Sequence, residues 1–178
     1  MDNSPENQTN KVPSGATEVD LYREVIFQLF ETESKTQFSN GAPAHAAVIF
    51  EAMLQYAKES VKIFCKELLG EVFGCPRVIM ALKGAIERGV CVQVLTQHAP
   101  NKSQFLEILK SEMTNGRKSR IATTNNPKLK SHKVNFAVMD EKAFRYEDDA
   151  SEISAFACAN NPSASKGLSE DFDKIYSM

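Results

Sequence analysis

The segment that most restricts the fold is PRVIMALKGAIERGVCVQVLT, Pro76 to Thr96. Pro76 suits the first turn of a helix, where its missing N–H would have had no partner. The spacing predicts a helix closed by Gly89 and followed at once by VCVQVLT, a nearly unbroken β-branched run typical of a strand buried on both faces. Helix, glycine stop and buried strand make an α/β crossover, so the chain is expected to form a sheet with helices packed on it.

The flanking segments extend that plan. EVDLYREVIFQLFETE places Val19, Tyr22, Val25, Ile26, Leu29 and Phe30 at three- and four-residue intervals, the stripe of an amphipathic helix. SNGAP reads as a turn, and a helix from about Ala44 to Glu59 is expected to bury Val48, Ile49, Met53, Leu54 and Ala57. SVKIFC alternates as a strand does, and KELLGEVFGCP reads as a loop or a short helical turn. Ser103 is an N-cap candidate for SQFLEILKSEM. SRIATT is expected as a short strand, NNPKLKSHK as a basic loop, VNFAVMD and AFRYE as a hairpin about EK, and SAFACAN as a further strand. A closing helix starts at Pro162 with Leu168, Phe172 and Ile175 on its apolar side. The expected fold class is α/β, a single mixed β-sheet flanked by helices. Residues 1–17 are expected as a disordered tail, 18–36 as an N-terminal helix and 37–178 as the α/β domain.

With 178 residues and 42% apolar content the chain can bury one core and is too short to suggest two. Its polar start and the absence of any long apolar run argue against a membrane span, and the protein is expected to be cytoplasmic. Cys65, Cys75, Cys91 and Cys158 form no C-x-x-C pair and are read as reduced and buried. No zinc-module spacing, glycine-rich phosphate loop, G-x-S-x-G or H-E-x-x-H occurs, so neither a metal nor a cofactor is expected. The net charge of −2 is uneven: Met113 to Met139 holds no acid but contains Arg117, Lys118, Arg120, Lys128, Lys130 and Lys133. A basic stretch on an acidic chain suits an anionic ligand such as a phosphate or nucleic acid, or is a solvated loop.

The stretch SHKVNFAVMD, Ser131 to Asp140, carries a histidine, a lysine and an aspartate. Together with AVIFEAMLQYAKESVKIFC, ALKGAIERGVCVQVLT and ACANNPSASKGLSEDFDKIY, it resembles one half-unit of the phospholipase D superfamily over about residues 40 to 177. That resemblance implies an H-x-K-x-x-x-x-D signature, metal-independent phosphodiester chemistry through a phosphohistidine, and a homodimer pairing two half-sites. Residues two apart on a strand share a face, so the signature histidine and lysine reach one phosphate together.

In this chain the signature is out of step. Placing Asp140 at the motif's structural aspartate puts Lys133 in the histidine position and Asn135 in the lysine position. His132 then shares its side with Val134, Phe136 and Val138 in a regular strand. A β-bulge near Lys133, or a loop placement of His132, would return it to the site as the catalytic residue. The expected phosphate ligands are Lys128, Lys130, Lys133, Asn135, Arg145 and Asn160, with the helix start behind Asn160 offering free N–H groups. His98, after the buried strand, stands at an end of the sheet where ligands often bind. The function expected is binding of phosphodiester, nucleic acid or a phosphorylated partner without catalysis or with weak activity. The alternatives are a nuclease that uses His132, or an accessory protein that docks a partner through residues 18–36.

Overall fold

The computed structural model describes residues 15–151 and 154–177. Most of the expected N-terminal tail lies outside the described residues. Among the described residues seven strands form a single mixed sheet in the order β1-β7-β6-β5-β2-β3-β4. The strands are β1 (Gln37–Asn40), β2 (Ser60–Cys65), β3 (Cys91–Thr96), β4 (Arg120–Thr123), β5 (Asn135–Met139), β6 (Ala143–Glu147) and β7 (Ala155–Cys158). β2, β3 and β4 are parallel, while β5, β6, β7 and β1 continue the sheet antiparallel. The sheet therefore has a carboxyl edge, where β2, β3 and β4 end and β5 begins, and an amino edge, where β5 ends.

The helices are α1 (Glu18–Glu31), α2 (Pro43–Tyr56), α3 (Gly70–Phe73), α4 (Pro76–Glu87), α5 (Gln104–Thr114), α6 (Pro127–Lys130) and α7 (Pro162–Tyr176). Thr17 caps α1 through a reciprocal pair with Asp20, and Ser103 caps α5 by accepting from the Leu106 amide. Gly89, at φ +84°, ends α4: its N–H reaches the Ile86 carbonyl and the Val90 N–H the Ala85 carbonyl. Arg88 beside it donates to the carbonyls of Leu54 and Gln55, which satisfies the end of α2.

Two cores result, one on each face. Val61, Ile63, Val92, Val94, Ala137 and Met139 pack with the buried sides of α1, α2, α4 and α5. On the other face Phe64, Leu95, Phe136 and Val138 meet Phe172 of α7. Burying a ring such as Phe172 stabilises by about 2–3 kcal/mol, enough to hold this one helix down. α2 is almost wholly interior because α1, α4 and the sheet enclose it.

Some expectations need correction. SNGAP is not only a turn: Ser39 and Asn40 belong to β1, whose four residues are too few for alternation to register. The basic loop contains α6, with Asn126 capping it at the Lys128 amide. Val25 is 54% exposed because only Ile26 and Phe30 of its stripe are fully buried. All four cysteines are free, but Cys75 and Cys91 are only half-buried. Among the described residues no helix is long and apolar enough to cross a membrane.

Candidate functional site

Asp140 closes β5 at the amino edge. One of its oxygens accepts from the Lys58 N–H at 2.8 Å, the other from Glu59 at 2.9 Å and Ser60 at 2.8 Å. Its φ of +52° opens the tight turn into β6, a conformation that aspartate tolerates better than most residues. The carboxylate thus fastens the hairpin to the start of β2.

At the other end of β5 the polar residues point two ways. Asn135 faces the α2 side, where its Oδ1 accepts from the Lys66 N–H at 2.8 Å and its Nδ2 donates to Glu147 at 2.7 Å. Cross-strand pairing places Asn135 opposite Glu147 and Ala137 opposite Arg145, so all four share one face. Arg145 is 4% exposed and Glu147 7%; the guanidinium donates to Glu147 at 3.3 Å and to Asn40 Oδ1 at 3.2 Å, and lies over the Phe50 ring. Burial lowers the pKa of Arg145 from its ordinary value, and the neighbouring Glu147 opposes that shift. Burial also pushes the adjacent Cys65 thiol up to about 12, which keeps it protonated and unreactive. Pro43, Phe50, Val72 and Phe73 wall a small cleft above this cluster, with about 50 Å³ of room for water-sized molecules.

His132 lies on the opposite side. It precedes β5, in the turn after α6, and its ring meets Phe64 edge-on at 6.3 Å on the face that α7 covers. Gln97 fixes it there by donating to its carbonyl at 2.7 Å. Lys133 turns to Asp149, 3.3 Å away. The Asp149 carboxyl is held down at about 2, chiefly by the Ser151 hydroxyl and amide and less by Lys133. Exposed His98 stands at the same edge.

Three sequence expectations change. Arg145 does not extend a positive surface, because it is enclosed with its counter-ion. Asn160 does not join Lys133 and Asn135: β7 runs back from the carboxyl edge, so Asn160 lies beyond its far end, at the amino edge, where it donates to the Glu33 carbonyl. The six cations of 113–139 are not one patch either. Arg117, Lys118 and Arg120 lie at the amino end of β4, with Arg117 paired to Glu112, whereas Lys128, Lys130 and Lys133 follow its carboxyl end. Four β4 residues separate the groups by roughly 13 Å.

No family model matches the sequence, and no curated protein matches it either. Solved structures do. A phospholipase D family member, Nuc from Salmonella typhimurium, superposes with a TM-score of 0.58 at 15% identity, covering 80% of this chain and 94% of that one. NucT from Helicobacter pylori gives 0.57 at 15% identity, with the same two coverages of 80% and 94%. TrmBL2, an archaeal chromatin protein with a novel mode of DNA binding, gives 0.56 at 15%, covering 86% of this chain and 57% of its own. The chain has a phospholipase D-like fold.

Within this phospholipase D-like sheet, sequence reasoning overlooked Asn40, Gln97 and the inward role of Glu147. The alternation of Arg145 and Glu147 on one strand was the available signal for the last; Asn40 and Gln97 carried none, since their partners are 105 and 35 residues away.

Proposed function

We propose that this chain is a non-hydrolysing phospholipase D-like domain that binds the phosphodiester backbone of a nucleic acid through Lys128, Lys130 and Lys133. The observation that carries the reading is the divergence at the start of β5. The imidazole of His132 meets the Phe64 ring on the face that α7 covers, while Asn135, in the signature's lysine position, is engaged by Lys66 and Glu147 on the other face, so the two do not converge on one phosphate. Exposed lysines around α6 supply point charges suited to phosphate oxygens. The fold shared with a DNA-binding chromatin protein supports the choice of ligand.

The test is fluorescence anisotropy with labelled single-stranded and duplex oligonucleotides over a salt series. Each phosphate contact contributes about 0.9 to the slope of log affinity against log salt. Changing Lys128, Lys130 and Lys133 together to alanine is expected to lower that slope by about 2–3 and to weaken binding equally across sequences. An unchanged slope would contradict the assignment. The homodimer belongs to the same proposal, as does a protein contact at residues 18–36, where Leu21 and Val25 are exposed one turn apart on α1. Sedimentation of the protein and of its Leu21→Glu/Val25→Glu variant tests both.

A further inference from the structure

The cluster under the carboxyl-edge cleft is built from donors that converge on one carboxylate. Asn135 Nδ2 stands 2.7 Å from one oxygen of Glu147, and Arg145 Nη2 stands 3.3 Å from the other. Asn40, 3% exposed, accepts at its Oδ1 from Arg145 Nε, and its own Nδ2 is buried without a partner among the described residues. The Asn40 oxygen thus orients the guanidinium whose Nη2 faces the carboxylate. Arg145, Glu147 and Asn135 also line the cleft that leads in past Pro43, Phe50 and Phe73.

We infer that Arg145 and Asn135, with Asn40 orienting the guanidinium, form a binding site for a small planar oxyanion, and that its resident occupant is the chain's own Glu147 carboxylate. The match is chemical: a guanidinium and a carboxamide present N–H groups to two oxygens of one planar anion. In the intact protein this internal anion shuts out external ones, which confines any phosphodiester to the lysines outside. The site follows from the buried cluster alone and does not rest on nucleic-acid binding by those lysines.

Shortening the occupant tests this. Glu147→Ala removes the carboxylate and leaves the guanidinium without its counter-charge. The melting temperature is then expected to fall, and formate is expected to restore it: a rise of about 3–6 °C as formate passes about ten times its Kd. Chloride at equal ionic strength and wild-type protein in formate give the baseline. Glu147→Gln, which keeps the space filled, and Arg145→Met/Glu147→Ala, which lacks the guanidinium, are expected to show no rise above that baseline. Should Glu147→Ala be insoluble in chloride, refolding by dilution into formate is expected to recover soluble protein. An equal formate response in Glu147→Ala and wild type, or equal failure to refold in both salts, would overturn the assignment.

Discussion

The two ends of β5 hold their polar groups in different ways. Asp140 spends its carboxylate on three backbone N–H groups at the entrance to β2, so it is bound to the course of the chain itself. Asn135, five residues earlier, ties one backbone amide and then joins a set of side chains, Glu147, Arg145 and Asn40. A group that caps backbone cannot be exchanged without leaving amides unpaired. A set of side chains can be paired anew as long as every member keeps a partner. The Asp140 end is therefore fixed by the fold, and the Asn135 end is where the same strand can hold different chemistry.

The largest expected effect lies in the side-chain cluster. Arg145→Met leaves Glu147 buried without its counter-ion and is expected to cost about 3–5 kcal/mol in urea denaturation. Arg145→Met/Glu147→Leu removes both charges and is expected to recover part of that loss, the remainder going with Asn135 Nδ2 and Asn40 Oδ1, which lose their partners; no recovery at all would mean that this cluster is as fixed as the Asp140 turn. Asp140→Ala orphans its amides and is expected to cost about 3 kcal/mol, with Asp140→Asn, which keeps one acceptor oxygen, costing about half as much. No second substitution should restore Asp140→Ala, and a compensating side chain would break the contrast. His132→Ala, at an exposed turn, is expected to change stability by less than about 0.5 kcal/mol.

The smallest effect is a titration. Asp149 is depressed to about 2, below its unfolded value, so its contribution is complete above about pH 4 and fades as pH falls toward 2. Because Ser151 is the larger cause, Ser151→Ala is expected to raise the Asp149 pKa, read by carbon NMR, more than Lys133→Ala does. The reverse order would mean that Lys133 is held by Asp149 more firmly than a surface lysine offered to phosphate should be.

The fold was legible where its signals are local. α4, Gly89 and β3 follow from a proline, a glycine and a β-branched run that act within a few residues. The hairpin of β5 and β6 was equally readable from two strand-like runs either side of the EK turn. The candidate site was readable only in part, because strand direction decides which residues share an edge. Asn160 looked like a partner of Lys133 until the antiparallel course of β7 carried it to the far end of the sheet. Arg145 looked like surface charge because nothing near it in the sequence shows α2 and β1 closing over it.

The most direct measurement incubates the protein with a labelled oligonucleotide at low salt in EDTA, reading anisotropy for binding and a denaturing gel for integrity from the same tube. The expected result is binding that depends on Lys128, Lys130 and Lys133, with the oligonucleotide intact. EDTA-resistant cleavage that disappears in His132→Ala would contradict it.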